Sequence, residues 1–441
     1  MEITLALTAL MERATGTPGK VTNLIRLTGG ANMESSAFDY TGGAYVLRRA
    51  PSAAFMAGRA FGHDVEAAVV RAARAAGVKA PEIVAELSAE DGIGTGYVMR
   101  RVLAEVNPAK ILADPAPHLI EDIARELARI HAIGPRDDLA IPTMDTSTAL
   151  ADLAARFQAY GGDRPIIALA LKWCADHLPE PAQPVLVHGD FRLGNLMADA
   201  GGLAAVLDWE LVHWGDAHED LAWGCVGAWQ FGHGDQPAFG CSDLETYFAA
   251  YAAAGGCAVD RNRFRFWLIY RTLWWALGCL QMGDIWRVGA DKSLERAVIA
   301  RRTSENELDL LLLLEADAPE TQRLSIRLDP PPPPRRMGET STTEMLEAIT
   351  DWIVTDVKPR MEGHDRFKTA VALNALGMLT REAATPAAVH DKALADDILN
   401  GRLTLATPGL LAKLRKLALA KLGNDVPKYA GLAAATLKWS A

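Results

Sequence analysis

The stretch Val185-Leu186-Val187-His188-Gly189-Asp190, continued at Asn195 and then by Val206-Leu207-Asp208-Trp209-Glu210, decides how this chain is read. Two short apolar runs each lead to an aspartate, with the asparagine between them. Runs of this length bounded by Gly and Asp read as strands, which places Asp190, Asn195 and Asp208 on loops at adjacent strand ends. A lone His-x-Asp would be a weak signal. The asparagine five residues on and the second strand-end aspartate make it a specific one. Oxygen ligands from an amide and a carboxylate suit a hard cation such as Mg²⁺, and another carboxylate beside them can orient or deprotonate an attacking hydroxyl. Phosphoryl transfer from a nucleoside triphosphate requires this equipment.

Working upstream, Ile25-Arg26-Leu27, residues 36–40 and Tyr45-Val46-Leu47-Arg48 alternate with the Gly-containing segments Thr28-Gly29-Gly30-Ala31-Asn32-Met33-Glu34-Ser35 and Thr41-Gly42-Gly43. Short strands separated by such turns predict an antiparallel hairpin sheet. The segment HDVEAAVVRAARAAGV that follows predicts a helix with Val65, Val69, Ala72, Ala73 and Ala76 on one face and Gly77 at its C-terminal cap. Another strand is expected at Gly96-Tyr97-Val98-Met99. A sheet followed mainly by helices is the order of an α+β chain.

Taken together, these motifs resemble those of the aminoglycoside phosphotransferase superfamily, relatives of the protein kinases, whose pattern is H-G-D-x-x-x-x-N followed by I/L-D-W-E. The similarity covers most of residues 20–320 and includes Gly215-Asp216-Ala217-His218-Glu219-Asp220-Leu221-Ala222. The resemblance implies a protein-kinase-like two-lobed fold, with a sheet-containing N-lobe over residues 1–103 and a mainly helical C-lobe over 104–328. It implies that Asp190 is the catalytic base, that Asn195 and Asp208 are magnesium ligands, that Asp220 buttresses the catalytic loop and that His188 packs beneath it. The loop containing Gly29, Gly30, Ala31, Asn32 and Ser35 would cover the phosphates, and Met99 would contribute to the nucleotide site. Arg48 stands where kinases have a phosphate-binding lysine, with Glu66 as its helix partner. Arginine keeps the charge but brings a larger planar fork, so the position departs from the family pattern. The plain alternatives are a solvated strand-end arginine and an exposed helical glutamate.

The chain looks closest to bacterial phosphotransferases related to the kinase-like domain fused to certain acyl-CoA dehydrogenases, a subgroup associated with phosphorylating hydroxyacyl-CoA thioesters. The expected function is an ATP-dependent (or GTP-dependent), Mg²⁺-requiring phosphotransferase acting on a small-molecule hydroxyl, with a hydroxyacyl-CoA as one expected acceptor. The competing readings are an aminoglycoside or amino-alcohol kinase and a catalytically weak nucleotide-binding scaffold. Eight of the eleven tryptophans fall between Trp209 and Trp286, mostly at spacings expected of a core.

The net charge of -10 offers no footprint for nucleic acid. Five cysteines without CxxC spacing, no leader-like start and no apolar run of bilayer length lead us to expect a cytoplasmic protein without a membrane segment. The five prolines Pro330 to Pro334 predict a stiff linker over residues 329–336, ahead of a helical accessory domain over 337–441. Ser341 and Glu344 have capping-box spacing, with Met345, Ile349, Trp352, Ile353 and Val357 at helical intervals before Pro359. Thr407-Pro408 reads as the start of a Leu-rich helix ending at Gly423. Residues 335–441 hold 15 Lys/Arg against 12 Asp/Glu, so the remainder holds 30 against 43, giving +3 and -13. Opposite signs suggest two modules that could attract each other, with a solvated surface without a partner as the plain alternative, and docking of this domain in cis on the body is the expectation.

Overall fold

The computed structural model describes residues 2–27, 33–52, 56, 58–289, 291–328 and 338–440. The expected phosphate-covering residues Gly29, Gly30, Ala31 and Asn32, and the linker over 329–336, lie outside them. The chain forms two compact units: the first comprises residues 1–145, 181–225 and 235–264, the second 146–180, 226–234 and 265–441.

In the first unit five antiparallel strands, β1 (Thr22–Arg26), β2 (Glu34–Tyr40), β3 (Gly43–Ala50), β4 (Ile83–Glu86) and β5 (Thr95–Arg100), lie in the order β1-β2-β3-β5-β4. Alternation along β3 sorts its side chains. Tyr45 and Leu47 enter a core with Leu7, Leu10 and Met11 of the helix Glu2–Thr15 and with Phe38 and Val98. Val46 and Arg48 face the other side and line a cleft. Arg48 is paired in register with Ser35 on β2 and with Tyr97 on β5.

The helix His63–Ala75 forms where its periodicity predicts, and Val69 and Ala73 are buried. Its inner face is nevertheless turned from the expected one: Ala76 is exposed, whereas Glu66, Ala67 and Val70 are buried. The cause is polar, because Glu66 is drawn inward by Arg48 and Tyr97. Gly77 follows the cap residue Ala76 with φ of 87°, a conformation that glycine adopts without penalty.

Helices Leu119–His131, Ala217–Trp223 and Leu244–Ala253 make up most of the remaining regular structure of this unit, together with two small ribbons. Strands β6 (Val185–Val187) and β9 (His213–Gly215) form one, and β7 (Leu196–Asp199) and β8 (Gly202–Val206) form the other. The two diagnostic apolar runs therefore pair with separate partners. The Leu207 amide donates to the Asn195 carbonyl at 2.8 Å, which ties the loop after β8 to the loop after β6.

The second unit is helical. Within it, helices Lys392–Leu399, Leu410–Asp425 and Ala430–Ser440 pack with Pro165–Asp176 and Thr303–Leu314. Arg415 and Glu315 form a buried pair at 2.6 Å, and Glu315 also accepts from Trp439 Nε1 at 2.7 Å. The Ser341 capping box forms, with Ser341 N donating to Glu344 at 2.8 Å. Pro359 sits inside the single turn Lys358–Arg360. Thr407 is not a helix cap: the helix starts at Leu410 behind Gly409, whose φ is 77°, and runs through Gly423 to Asp425. Thr407 Oγ1 instead closes a turn by accepting from Thr404 N at 2.9 Å. Among the described residues no helix is long and apolar enough to cross a membrane.

Candidate functional site

A cleft of about 610 Å³ opens in the first unit, in the size range of small-molecule sites. Its walls are largely apolar, including Val46, Val70, Met99, Met197 and Leu207, and its polar groups include Ser35, Arg48, Asn195 and Asp208. Five of the residues singled out from sequence, Ser35, Arg48, Met99, Asn195 and Asp208, thus line one space.

Asp190 adjoins this group through Asn195. The Asn195 amide nitrogen donates to the Asp190 carbonyl at 3.0 Å and to its Oδ2 at 2.6 Å. Two acceptors fix that amide's orientation, which leaves Oδ1 as the atom able to bind a cation. Asp190 Oδ1 accepts from Arg192 Nε at 2.9 Å and from Trp223 Nε1 at 2.6 Å. The carboxylate is therefore held in one orientation by three side chains on two segments.

The loop carrying Asp190 is braced from below. Asp220, fully buried on the helix Ala217–Trp223, accepts from the amides of His188 at 2.6 Å and Gly189 at 2.9 Å. Burial by itself would raise the Asp220 carboxyl, but His131 beside it and these amides hold it below the ordinary value. Gly189 has φ of 78°, and a Cβ there would meet the Leu211 carbonyl oxygen at 2.5 Å, so only glycine fits between the histidine and the aspartate. His188 is buried against Trp209 and donates from Nε2 to the Leu207 carbonyl at 3.1 Å, while its Nδ1 accepts from the Asp190 amide at 3.2 Å. Burial pushes its pKa down, in keeping with a neutral ring that serves packing.

Asp208 adopts φ of 65°, a left-handed conformation that is uncommon for a residue with a side chain. Its side chain keeps 31% exposure. One oxygen, Oδ1, lies 2.6 Å from Arg48 Nη2. The same nitrogen lies 2.6 Å from Glu210 Oε2, and Arg48 Nε lies 3.1 Å from Glu66. Burial would lower the Arg48 pKa, but Asp208, Glu66 and Glu210 together raise it well above the ordinary value. Burial pushes the Glu66 carboxyl up, and Arg48 and the Tyr97 hydroxyl, donating at 2.8 Å, only partly reverse this. Neither plain alternative applies, since Arg48 and Glu66 are both withdrawn from solvent.

An amide oxygen and a partly exposed carboxylate form an all-oxygen donor set that suits Mg²⁺ better than zinc or copper. The residues present therefore fit a hard cation held with phosphate oxygens. Trp223, Arg192, Glu210 and Arg59, which bonds Glu210 at 2.9 Å, are polar partners of this site absent from the sequence-derived set. A faint signal existed for Trp223, which lies three residues after Asp220 on the same helix.

The family model described as "Phosphotransferase enzyme family" matches residues 23–267, and residues 359–429 match a domain of unknown function (DUF6285). Acyl-CoA dehydrogenase family member 10 of Mus musculus is 29% identical over 47% of this chain and 21% of its own length. Family member 11 of Gallus gallus is 31% identical over 41% of this chain and 25% of its own. The chain thus spans about a quarter or less of the curated relatives it matches. A crystal structure of a Ralstonia eutropha protein assigned as an aminoglycoside phosphotransferase superposes with a TM-score of 0.56 at 21% identity, covering 71% of this chain and 98% of that one. A thermostable mutant of aminoglycoside phosphotransferase APH(4)-Ia, in ternary complex with ADP and hygromycin B, gives 0.50 at 18% identity, covering 71% and 99%. These structures share the kinase-like fold, and this chain has C-terminal helices in addition.

Proposed function

Because this chain belongs to the phosphotransferase enzyme family, we propose that it moves the terminal phosphoryl group of ATP to a hydroxyl of a small molecule. The observation that supports this most is that Asn195 and Asp208 line one cleft and Asp190 is hydrogen-bonded to Asn195 beside it. Asp190 orients the acceptor hydroxyl and takes its proton. Asn195 Oδ1 and Asp208 hold Mg²⁺, which when bound offsets phosphate charge. Arg48 supplies a fixed positive charge for the phosphates, Ser35 and Met99 with the apolar wall receive the phosphates and the base, and Gly29, Gly30, Ala31 and Asn32 are proposed as further nucleotide-binding residues. Glu66 keeps Arg48 in place. In this reading residues 1–103 act as an N-lobe and 104–328 as a C-lobe. After the linker over 329–336, the helical domain over 337–441 docks in cis.

The acceptor we favour is a hydroxyacyl-CoA, on the ground that the curated relatives bear acyl-CoA dehydrogenase names. An aminoglycoside or amino alcohol is the second reading, favoured by a fold neighbour that holds hygromycin B. Five free cysteines suit a reducing compartment such as the cytoplasm. ADP release with ATP or GTP, measured against panels of hydroxyacyl-CoA esters, aminoglycosides and amino alcohols, tests the proposal. Turnover confined to the CoA esters supports the favoured acceptor; turnover confined to another panel replaces it. Inertness toward all three would point to a nucleotide-binding scaffold.

A further inference from the structure

Arg48 is the position at which this chain departs from the kinase pattern, and its surroundings hold a compensating feature. A lysine presents one compact ammonium, which a single glutamate can hold. A guanidinium spreads its charge and its donors over three nitrogens, and a partner at one leaves the others to find their own. Here Glu66 forms an ion pair with Nε at 3.1 Å without a hydrogen bond to it, while Nη2, the nitrogen beside Nε, carries the hydrogen bonds and is shared between Asp208 and Glu210 at 2.6 Å each. Glu210 is itself held: the oxygen that meets Arg48 also accepts from Arg59 Nη2 at 2.9 Å. Three carboxylates against two guanidiniums leave one net negative charge in the cluster.

Resting on the reading of this cleft as a nucleotide site, we propose that Glu210, fixed by Arg59, is the positioning residue that makes an arginine workable at position 48. Once Asp208 is engaged by a cation, Nη2 of Arg48 loses that partner. Glu210 remains. It keeps the fork from swinging out of the cleft, so that the guanidinium still faces the phosphates. The oxygen Oε2 of Glu210 already lies within 2.9 Å of two guanidiniums, a geometry that makes it an anchor for arginine. The pairing also explains why the glutamate of Asp208-Trp209-Glu210 faces the cluster: the residues on either side of Trp209 point to Arg48 while Trp209 itself is buried against His188.

A double-mutant cycle in the whole 441-residue chain tests this. The Kd for ADP would be measured by calorimetry with Mg²⁺ and with EDTA, beside melting temperatures without nucleotide, for wild type, Glu210→Gln, Arg48→Lys and the double variant. Glu210→Gln should weaken Mg²⁺–ADP binding about tenfold in the wild-type background, a coupling of ordinary size for contacting charges. In the Arg48→Lys background the same change should cost less than about twofold, because an ammonium needs Glu66 alone. Arg59→Leu leaves both carboxylates in place and should weaken binding about threefold, which guards against a folding defect in Glu210→Gln. Equal losses in both backgrounds would overturn the positioning role, and would be the behaviour of a residue acting on the cation instead. A loss confined to melting temperature would overturn it too. Failure of the wild-type protein to bind ADP would refute the nucleotide reading and this role with it, whereas binding without coupling would refute this role alone.

Discussion

Replacing Asp220 by asparagine removes the brace under the Asp190 loop while changing almost no volume. The buried carboxylate accepts from two backbone amides at 2.6 and 2.9 Å and lies 3.4 Å from His131 Nε2. An asparagine offers one oxygen and turns an NH₂ toward the other donors. One charge-assisted bond is lost at about 1.5–3 kcal/mol, and one buried amide is left unpaired at about 1–3 kcal/mol. A loss of about 3 kcal/mol is expected after partial relaxation. Urea unfolding followed by circular dichroism and tryptophan fluorescence at pH 7 measures it. The pH dependence has a definite sign. The folded carboxyl is depressed, so its contribution is full above the unfolded aspartate pKa of about 3.9 and is lost as pH falls through the lower folded value. The gap between wild type and Asp220→Asn should therefore close below about pH 4. A loss under about 1 kcal/mol, or a gap that persists unchanged in acid, would refute the brace.

In the second unit, burial pushes Asp309 up to about 7, and Tyr429, donating at 2.5 Å, does not offset it. The unfolded carboxyl ionises near pH 4, so stability should fall as pH rises from about 4 to 7. Asp309→Asn should abolish that fall and raise stability at pH 8 by on the order of 2–4 kcal/mol; an unaltered pH profile by denaturant titration would count against it. Gly96→Ala places a Cβ 2.1 Å from the Arg48 carbonyl oxygen, so β3 must shift. About 2 kcal/mol of destabilisation and weaker ADP binding are expected, and wild-type values for both would contradict the packing. Ending the chain after residue 328 removes Arg415 and Trp439, the partners of Glu315, and strips the C-terminal helices from Pro165–Asp176 and Thr303–Leu314. Apolar surface buried there returns to water, so calorimetry should show a lower melting transition, and an unchanged melting curve would contradict it.

The parts of the fold visible in the sequence are those governed by local rules. Strands such as β2 and β3, separated by Thr41 and Gly42, follow from short β-prone runs and a turn, and the Ser341 cap follows from a four-residue pattern. What stayed hidden depends on partners far along the chain. The inner face of His63–Ala75 follows Glu66, whose burial is explained by Arg48 and Tyr97 rather than by helical period. Trp223 read as core from its neighbours, yet its indole nitrogen bonds Asp190, a pairing that depends on how Ala217–Trp223 meets the loop after β6. Thr407-Pro408 looked like a helix start, and a turn closed by Thr404 took its place. Charge bias of the C-terminal helices was visible, but the pairing of Arg415 with Glu315 spans a hundred residues and left no local mark.

The most direct test of the central claim is ADP formation from ATP and Mg²⁺ by the wild-type protein and by Asp190→Asn, across the three acceptor panels. The wild type should release ADP in an acceptor-dependent manner. In Asp190→Asn kcat should fall by about 10²–10⁴-fold, with the Kd for ATP changed by less than about threefold because Asn195, Asp208 and Arg48 remain. No ADP release with any acceptor, or near-wild-type turnover by Asp190→Asn, would contradict that claim.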